Sequence, residues 1–440
     1  MRFAKLWRPV PLLAATVACI LALGACSAGS LGSNDEGGAT TLTFLVDNAD
    51  GSVKPAQALA EAFHAKNPDV TVQVQTRPGG SEGDNIVKTR LSTGEMTDVF
   101  LYNSGSLFQA LNPKQNLTPV TGEAWASQVE DAFKPVVSVD NELYGAPITG
   151  ASAGGVRYNR KVYEKLGLQV PKTWAEFMAN NAKIKAAGID PVIQTYSDTW
   201  TSQLFVLADF HNVAAADPSW AEKYTAGRVK YAQQPAVKGF QRLEEVHKAG
   251  YENKDYRSMK FEKGVSDLAA GKGAHFPMLT FAVGTLAASD PDHINDVGFF
   301  GQPGDDASKA GMTIWMPAGL YIPKSTEGAQ LEAAKKFVAF VASPEGCDVQ
   351  TKAYPPAGPY MVKGCKLPAD APQAVKDVVA YVEQGNITPA LEFQSPIKGP
   401  ALEQITVEVG SGLRSAQDGA ALYDKDVKKQ AQQLGLKGWS

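Results

Sequence analysis

The alternation of hydrophobic and polar positions after residue 40 predicts strands that alternate with helices. Residues 41–46 favour a strand and are followed by a polar turn at 47–51. Apolar residues then recur at helical spacing until Asn67-Pro68 ends the helix. The same order repeats with a strand at 70–76, a helix that ends near residue 92 and a strand at 98–102. This order predicts a parallel sheet with helical crossovers, and therefore an α/β fold.

The rest of the chain continues this mixture, and its carboxy-terminal third is mostly helical. Thr173 and Glu176 have the spacing of a capping box at the start of a helix, and Gly188 suits the end of that helix. Further helices are predicted at 235–249, 261–270, 329–342, 373–384, 402–413 and 418–434. Further strands are predicted at 191–195, 273–278, 297–300 and 320–322.

Three polar, glycine-rich loops follow the first predicted strands, at 47–50, 79–84 and 103–106. In open α/β sheets, ligands lie beyond the carboxyl ends of the strands. These loops are therefore the first candidates for a binding face.

The composition describes an acidic globular protein rather than a nucleic-acid-binding one. The chain has 440 residues, enough for two or three domains, with 44% hydrophobic and 20% charged residues. Lys and Arg number 42 against 46 Asp and Glu, for a formal net charge of −4. Nucleic-acid binders normally carry a basic patch, so we expect no nucleic-acid partner.

The sequence carries no strong signature of an enzyme, a metal site or a cofactor site. It lacks an HExxH helix, a Walker loop, a GxGxxG turn after a strand and a GxSxG elbow. The five His residues are scattered, and none lies within four positions of another, which disfavours a local zinc pair. We therefore expect no catalysis, no metal and no cofactor.

The first 25 residues have the pattern of an export signal. Arg2, Lys5 and Arg8 precede an uncharged apolar stretch from residue 9 to residue 25, which is shorter than the roughly 20 apolar residues of a spanning helix. The stretch ends at Leu23-Gly24-Ala25-Cys26, which resembles the lipobox of bacterial lipoproteins. This resemblance implies cleavage before Cys26 and a lipid on Cys26; an ordinary secretory signal is the alternative. Residues 26–40 are rich in Gly, Ser, Ala and Asn, which predicts a flexible tether.

Two cysteines remain in the body of the chain, Cys347 and Cys365, with seventeen residues between them. In an oxidising compartment they are candidates for a disulfide that stabilises the fold by about 3 kcal/mol. The alternative is a pair of free buried thiols.

Several segments then carry a resemblance that covers the chain from about residue 41 to its end. They are Thr97-Asp-Val-Phe100, Tyr144-Gly-Ala-Pro147, Gly155-Val-Arg-Tyr-Asn159, 167–177, 319–325 and 333–346. Their order and spacing resemble the sugar-type solute-binding proteins of bacterial ABC importers, the extracellular solute-binding protein family 1. One stretch departs from the family pattern, Phe276-Pro-Met-Leu-Thr-Phe281.

The resemblance implies a periplasmic-binding-protein-like fold, with two α/β lobes, a hinge and a ligand cleft between the lobes. Residues 41–148 and 295–345 are expected to form one lobe, and residues 149–294 and 346–440 the other. It also implies a monomer, lipid-anchored to the outer face of the bacterial cell membrane, that passes a carbohydrate to the permease subunits of an ABC transporter.

A sugar-binding site needs aromatic rings for the apolar face of a pyranose and polar side chains for its hydroxyls. The aromatic candidates are Trp200 and Trp315, with Tyr354 and Tyr360 as further ones. The polar candidates are Asp47, Asp50, Glu82, Asn103, Ser104 and Asp198. Each also has a structural interpretation, because Trp often lies in a core and Asp often caps a helix.

Two other functions stay open at this stage. An exported carbohydrate-active hydrolase would need two suitably placed carboxylates, which 46 acidic residues do not exclude. A binding protein for another solute, such as a phosphodiester or an oligopeptide, would have the same fold. Phosphate esters call for a basic or amide-rich pocket, so the acidic composition favours a neutral polyol.

Overall fold

Residues 39–439 are described by the structure, which is a computed structural model. The predicted signal peptide at 1–25, the lipidation site Cys26 and the predicted tether up to residue 38 lie outside the described residues. Thr40, the last residue of the predicted tether, already belongs to the first strand.

The described residues contain thirteen strands. They are β1 (Thr40–Asp47), β2 (Val70–Arg77), β3 (Val99–Tyr102), β4 (Ser138–Val139), β5 (Glu142–Leu143), β6 (Gly145–Ile148), β7 (Ser152–Asn159), β8 (Asp190–Val192), β9 (Gly273–Leu279), β10 (Val297–Gly301), β11 (Met312–Trp315), β12 (Ala318–Tyr321) and β13 (Ile387–Pro389).

Seventeen α-helices lie in the described part of the chain, together with short 3₁₀ turns. They are α1 (Asp50–Lys66), α2 (Gly80–Thr93), α3 (Ser106–Gln109), α4 (Pro113–Asn116), α5 (Arg160–Leu166), α6 (Trp174–Ala186), α7 (Leu204–Leu207), α8 (Phe210–Ala216), α9 (Trp220–Thr225), α10 (Val237–Lys248), α11 (Phe261–Ala269), α12 (Ala282–Ser289), α13 (Gly328–Val341), α14 (Pro344–Ala353), α15 (Gln373–Glu383), α16 (Leu402–Gly410) and α17 (Ala416–Gln433). No helix between residues 39 and 439 is long and apolar enough to cross a membrane.

The first sheet has the strand order β2-β1-β3-β12-β6 and forms the centre of the first lobe. β1 runs parallel to β2, with Thr40 opposite Val70 and Asp47 opposite Arg77, so the two strands end together. α1 and α13 cover one face of this sheet, where the Phe337 ring meets the Phe44 and Phe63 rings edge-on at 5.5 and 5.3 Å. The carboxyl ends of β1 and β2 therefore lie side by side at one edge of the sheet.

The second sheet has the order β13-β11-β7-β9-β8, with β10 paired to β7, and forms the second lobe. β7 is its central strand and pairs antiparallel with β9, β10 and β11. Two glycines of β7 allow this crowding. A Cβ on Gly154 would lie 2.2 Å from the Trp315 ring, and one on Gly155 would lie 2.4 Å from the carbonyl oxygen of Phe300.

The two α/β lobes predicted from the sequence are therefore present, but the sheet pairing divides them differently at two places. β10 and β11 fall in the 295–345 segment predicted for the first lobe, yet both pair with β7 in the second sheet. α14, most of which falls in the 346–440 segment predicted for the second lobe, packs against α1 of the first lobe. Both differences arise from long-range pairing, which periodicity along the chain does not report.

Local predictions agree with the structure more closely. The capping box of α6 is confirmed, since Thr173 Oγ1 accepts from the Glu176 amide at 3.2 Å and Glu176 Oε2 accepts from the Thr173 amide at 3.1 Å. The disulfide between Cys347 and Cys365 is also confirmed, with Cα atoms 5.9 Å apart.

The imidazole of His275, on β9, is fully buried in the second lobe. Its Nε2 lies 2.6 Å from the Tyr163 hydroxyl, and its Nδ1 lies 2.8 Å from Asn181 Oδ1. An amide oxygen only accepts, so Nδ1 carries the hydrogen and Nε2 accepts from the tyrosine. Burial lowers the pKa of His275 to about 3. The folded protein therefore holds this imidazole neutral.

This burial makes stability depend on pH. Between about pH 6.5 and 3 the unfolded chain binds a proton on His275 that the folded protein does not, so acid favours unfolding by roughly 1 kcal/mol per pH unit. We expect His275→Gln to flatten the fall in unfolding free energy across this range, measured by urea titration at several pH values. His293→Gln is the control, because Asp290 raises the pKa of the exposed His293 and its contribution has the opposite sign. An unchanged slope in His275→Gln would contradict the assignment.

Candidate functional site

A cavity of about 730 Å³ lies between the two lobes, within the range of about 300–1,000 Å³ typical of ligand pockets. We call it the cleft cavity. Three parts of the chain form its wall: the carboxyl edge of the first sheet, a group of second-lobe side chains, and the loop that follows α14.

The first-lobe wall is built from the ends of β1 and β3 and the start of α1. Its residues are Asp47, Ala49, Asp50, Gly51, Ser52, Pro55, Leu101, Asn103, Thr149, Gly150 and Ala318. Asp47 Oδ1 accepts from the Ala49 amide at 3.0 Å, and its Oδ2 accepts from the Ser52 hydroxyl at 2.7 Å. Asp50, in the first turn of α1, pairs with Lys54 at 2.9 Å. Both carboxylates therefore lie at the positive end of a helix, where negative charge is stabilised.

The second-lobe wall presents aromatic rings. Its residues are Ser152, Trp200, Phe261, Glu262, Phe281, Thr285, Ala288 and Ser289. Trp200 is 36% exposed, and its ring centroid lies 5.3 Å from that of Phe261 and 5.9 Å from that of Phe281. We call these three rings the aromatic platform. An exposed indole that rests on two other rings is a flat apolar surface available to a ligand.

The third wall comes from α14 and the loop that follows it. Gln350 of α14 and Tyr354, Pro355, Pro356, Ala357 and Tyr360 of the loop line the cavity, and all of them lie between the two cysteines of the disulfide. Gln350 Oε1 accepts from the Thr149 amide at 2.7 Å, and the Tyr360 hydroxyl lies 2.7 Å from the Thr351 hydroxyl. Burial raises the pKa of Tyr354 and of Tyr360, so both phenols stay protonated at neutral pH.

The charge of the wall is negative. Asp47, Asp50 and Glu262 line it, and none of the lining residues between 39 and 439 is Lys, Arg or His. Within that same range, no group of three or more His, Cys, Asp and Glu side chains is placed to hold a metal ion. The cavity therefore offers hydrogen-bond acceptors and ring faces to a ligand.

The structure brings together six of the ten residues predicted to bind ligand. Asp47, Asp50, Asn103, Trp200, Tyr354 and Tyr360 all line the cleft cavity. Asn103 follows β3, and its backbone oxygen accepts from the Tyr321 hydroxyl at 3.1 Å.

The other four predicted residues lie outside the cavity wall. Glu82 is exposed in the first turn of α2. Ser104 is buried and donates to the Pro317 carbonyl at 2.8 Å. Asp198 Oδ2 accepts from the Phe261 amide at 2.7 Å, so it positions a ring of the platform. Ligand contact by all ten residues stays a prediction.

Trp315 is the fourth of these residues. Its ring packs on Gly154 and lines a separate, much smaller cavity with Leu207, Phe210 and Tyr231. Trp315 is half-buried at the end of β11 and is not among the residues that line the cleft cavity.

Sequence analysis missed Phe261, Phe281, Glu262 and Gln350 as wall residues. Phe281 lies at the end of the stretch that departs from the family pattern, two residues after the end of β9 and directly before α12. Its position shortly after a predicted strand was the sequence signal that could have identified Phe281 as a wall residue. Phe261 and Glu262 begin α11, whose strong apolar periodicity is typical of a helix that packs on the core. That pattern gave no sign that the first residues of the helix line a cavity.

Comparisons with known proteins agree with this architecture. The profile of the bacterial extracellular solute-binding protein family matches residues 49–346. The "Multiple sugar-binding protein" of Streptococcus mutans serotype c is 24% identical over 333 residues, which is 73% of this chain and 75% of the relative. The "sn-glycerol-3-phosphate-binding periplasmic protein UgpB" of Shigella flexneri is 27% identical over 326 residues, 70% of this chain and 71% of the relative.

A solved structure of a "Chitin oligosaccharide binding protein" superposes with a TM-score of 0.76 and 21% identity, covering 90% of this chain and 99% of the other. At that identity the likeness shows a shared fold, with two lobes around a cleft.

Proposed function

Because the chain belongs to the family of bacterial extracellular solute-binding proteins, we propose that it is the substrate-binding lipoprotein of an ABC importer. It captures a sugar or oligosaccharide between its lobes and delivers it unchanged to membrane permease subunits. The observation that carries the proposal is the aromatic platform, which shares one cavity with the carboxylates Asp47 and Asp50.

This arrangement suits the two chemical faces of a pyranose. The exposed indole of Trp200 covers the C–H face of a sugar ring, which removes apolar area from water. Carboxylate oxygens accept hydrogen bonds from ring hydroxyls, and these charge-assisted bonds are stronger than neutral ones. Hydrogen bonds from the Ala49 amide and the Ser52 hydroxyl fix the orientation of the Asp47 carboxylate before ligand arrives.

An anionic solute fits the wall less well. The relative that binds sn-glycerol-3-phosphate makes a phosphate ester the second class to test. A phosphate group calls for basic side chains or several free amides, whereas the lining residues described here are acidic or neutral. A phosphate ester that bound more tightly than every uncharged sugar would contradict the carbohydrate proposal.

A carbohydrate-active hydrolase would bind the same ligand but would cleave it. Asp50 is paired with Lys54, and Asp47 already accepts two hydrogen bonds from its own loop. These contacts suit residues that hold a binding loop in place. Prolonged incubation with an oligosaccharide panel tests this directly, because release of shorter products would reject the role of a pure binder.

Trp200→Ala is expected to weaken sugar binding by about 1–3 kcal/mol, because stacking area is lost. Isothermal titration with the best sugar from a thermal-shift screen measures the change; a bound ligand raises the melting temperature in that screen. Trp200→Phe is the matched control, since it keeps a ring on the platform and should bind nearly as well as the wild type. Trp315→Ala, measured in parallel, decides whether the second indole also contacts ligand. Equal affinity in Trp200→Ala would remove the platform from the site.

The lipid anchor has its own test. We propose that Cys26 carries the lipid and holds the protein on the outer face of the cell membrane, since several acyl chains give stable attachment. Cys26→Ala should move the protein from the membrane fraction to the culture fluid or soluble extract, measured by fractionation and immunoblotting. Cys347→Ala is the control, because it removes a cysteine but leaves the signal sequence intact. Continued sedimentation of Cys26→Ala with membranes would contradict lipid anchoring.

A further inference from the structure

The Tyr354 ring lies between the two lobes, in space that is open because Gly284 and Gly51 have no side chains. A Cβ on Gly284, in α12 of the second lobe, would lie 2.0 Å from Tyr354 Cε1 and Cζ. A Cβ on Gly51, in α1 of the first lobe, would lie 3.1 Å from Cε1. The ring therefore contacts the backbone of one helix from each lobe.

The first lobe holds Tyr354 in place. Its amide donates to the Gln350 carbonyl at 2.9 Å at the end of α14, and α14 packs on α1. Pro355 and Pro356 follow directly and limit the backbone that could carry the ring away. Farther along the loop, the Ala151 amide donates to the Pro359 carbonyl at 2.8 Å. The ring is thus a fixed projection of the first lobe.

The second lobe receives the ring at a glycine in the first turn of α12. Glycine is a poorer helix former than alanine, and the backbone of Gly284 does not have the positive φ that would call for glycine, so it has no local reason to be glycine. The space that its missing side chain leaves is filled by Tyr354. Tyr354 of the first lobe and Gly284 of the second lobe therefore fit together across the boundary between the lobes.

We propose that the contact of Tyr354 with Gly284 stabilises the closed arrangement of the lobes without ligand and so sets the apparent affinity of the cleft. The consequence for affinity rests on the proposed function. A ligand that binds only the closed arrangement has an apparent dissociation constant equal to the intrinsic one divided by the closed fraction. Losing a contact made only in the closed arrangement lowers that fraction.

Gly284→Ala separates this role from direct ligand contact, because Gly284 does not line the cleft cavity whereas Tyr354 does. The added methyl displaces the ring or holds the lobes apart. Small-angle X-ray scattering of the ligand-free protein should show a larger radius of gyration, and titration with raffinose should show about tenfold weaker binding. The ligand-free melting temperature should stay equal or rise, because alanine favours the helix. A purely structural role for Gly284 would lower it instead.

Three further variants complete the design. Gly122→Ala is the matched control, since a Cβ there meets nothing within 4 Å. Tyr354→Ala should also expand the ligand-free protein. Tyr354→Ala/Gly284→Ala should behave as Tyr354→Ala alone, because the methyl has no ring left to displace.

Two results overturn the proposal: a Gly284→Ala protein with wild-type scattering, or a Gly284→Ala effect of full size in the Tyr354→Ala background. Failure of the proposed function looks different. In that case the wild type binds neither raffinose nor any other sugar of the screen, while scattering of the five ligand-free proteins, the wild type and its four variants, still decides whether the contact exists.

Discussion

Close approach at glycines is the constraint on which the junction of the two lobes depends. A Cβ on Gly150 would lie 2.6 Å from the Gly358 carbonyl oxygen, and one on Gly105 would lie 2.6 Å from the Phe393 ring. The same holds for Gly284 beneath Tyr354. Contacts shorter than about 3 Å leave no room for any side chain, and packed interiors do not yield easily. The shape of the cleft therefore depends on where side chains are missing.

The disulfide-closed loop connects this packing with ligand chemistry. A protein of this fold must keep its lobes free to move, so few elements can cross the cleft. The segment between Cys347 and Cys365 packs on the first lobe and supplies one entire wall of the cleft cavity. Because the bond limits the conformations open to the loop, Tyr354 and Tyr360 are held in place before ligand binds. Pre-ordering of this kind lowers the entropy that binding must otherwise overcome.

Sequence reasoning predicted those parts of the fold that local physics decides. β1, α1 and β2 follow from the apolar periodicity and from Asn67-Pro68, which ends the helix. Both strands begin and end within one residue of their predicted bounds, and α1 ends directly before Asn67, as predicted. The central strand β7 was missed, because Gly154 and Gly155 depress strand propensity and their role is visible only once Trp315 and Phe300 are in place. The division of the chain into lobes stays a prediction; β10 and β11, which it assigned to the first lobe, pair with β7 from far away in the chain, and such long-range pairing leaves no local signal.

The two indoles show why a binding site is harder to derive than a fold. Trp200 lies in a polar segment and Trp315 in an apolar one, and each is close to a predicted strand, so sequence alone made both candidates. In the structure the half-buried Trp315 ring packs on Gly154 of the neighbouring strand, whereas Trp200 rests on Phe261 and Phe281 and lines the cleft cavity.

Tyr354 places two opposing demands on the same cleft. As a wall residue it should favour tight capture, and as an interlobe contact it favours closure even when the cleft is empty. A binding protein that closes too readily excludes ligand from entry and delays its release, because both steps require the open arrangement. A single ring against two helix backbones is a small contact, so it biases closure without fixing it. Contacts that a ligand makes with both lobes then add to this bias, and once the ligand leaves, the bias alone does not keep the cleft closed.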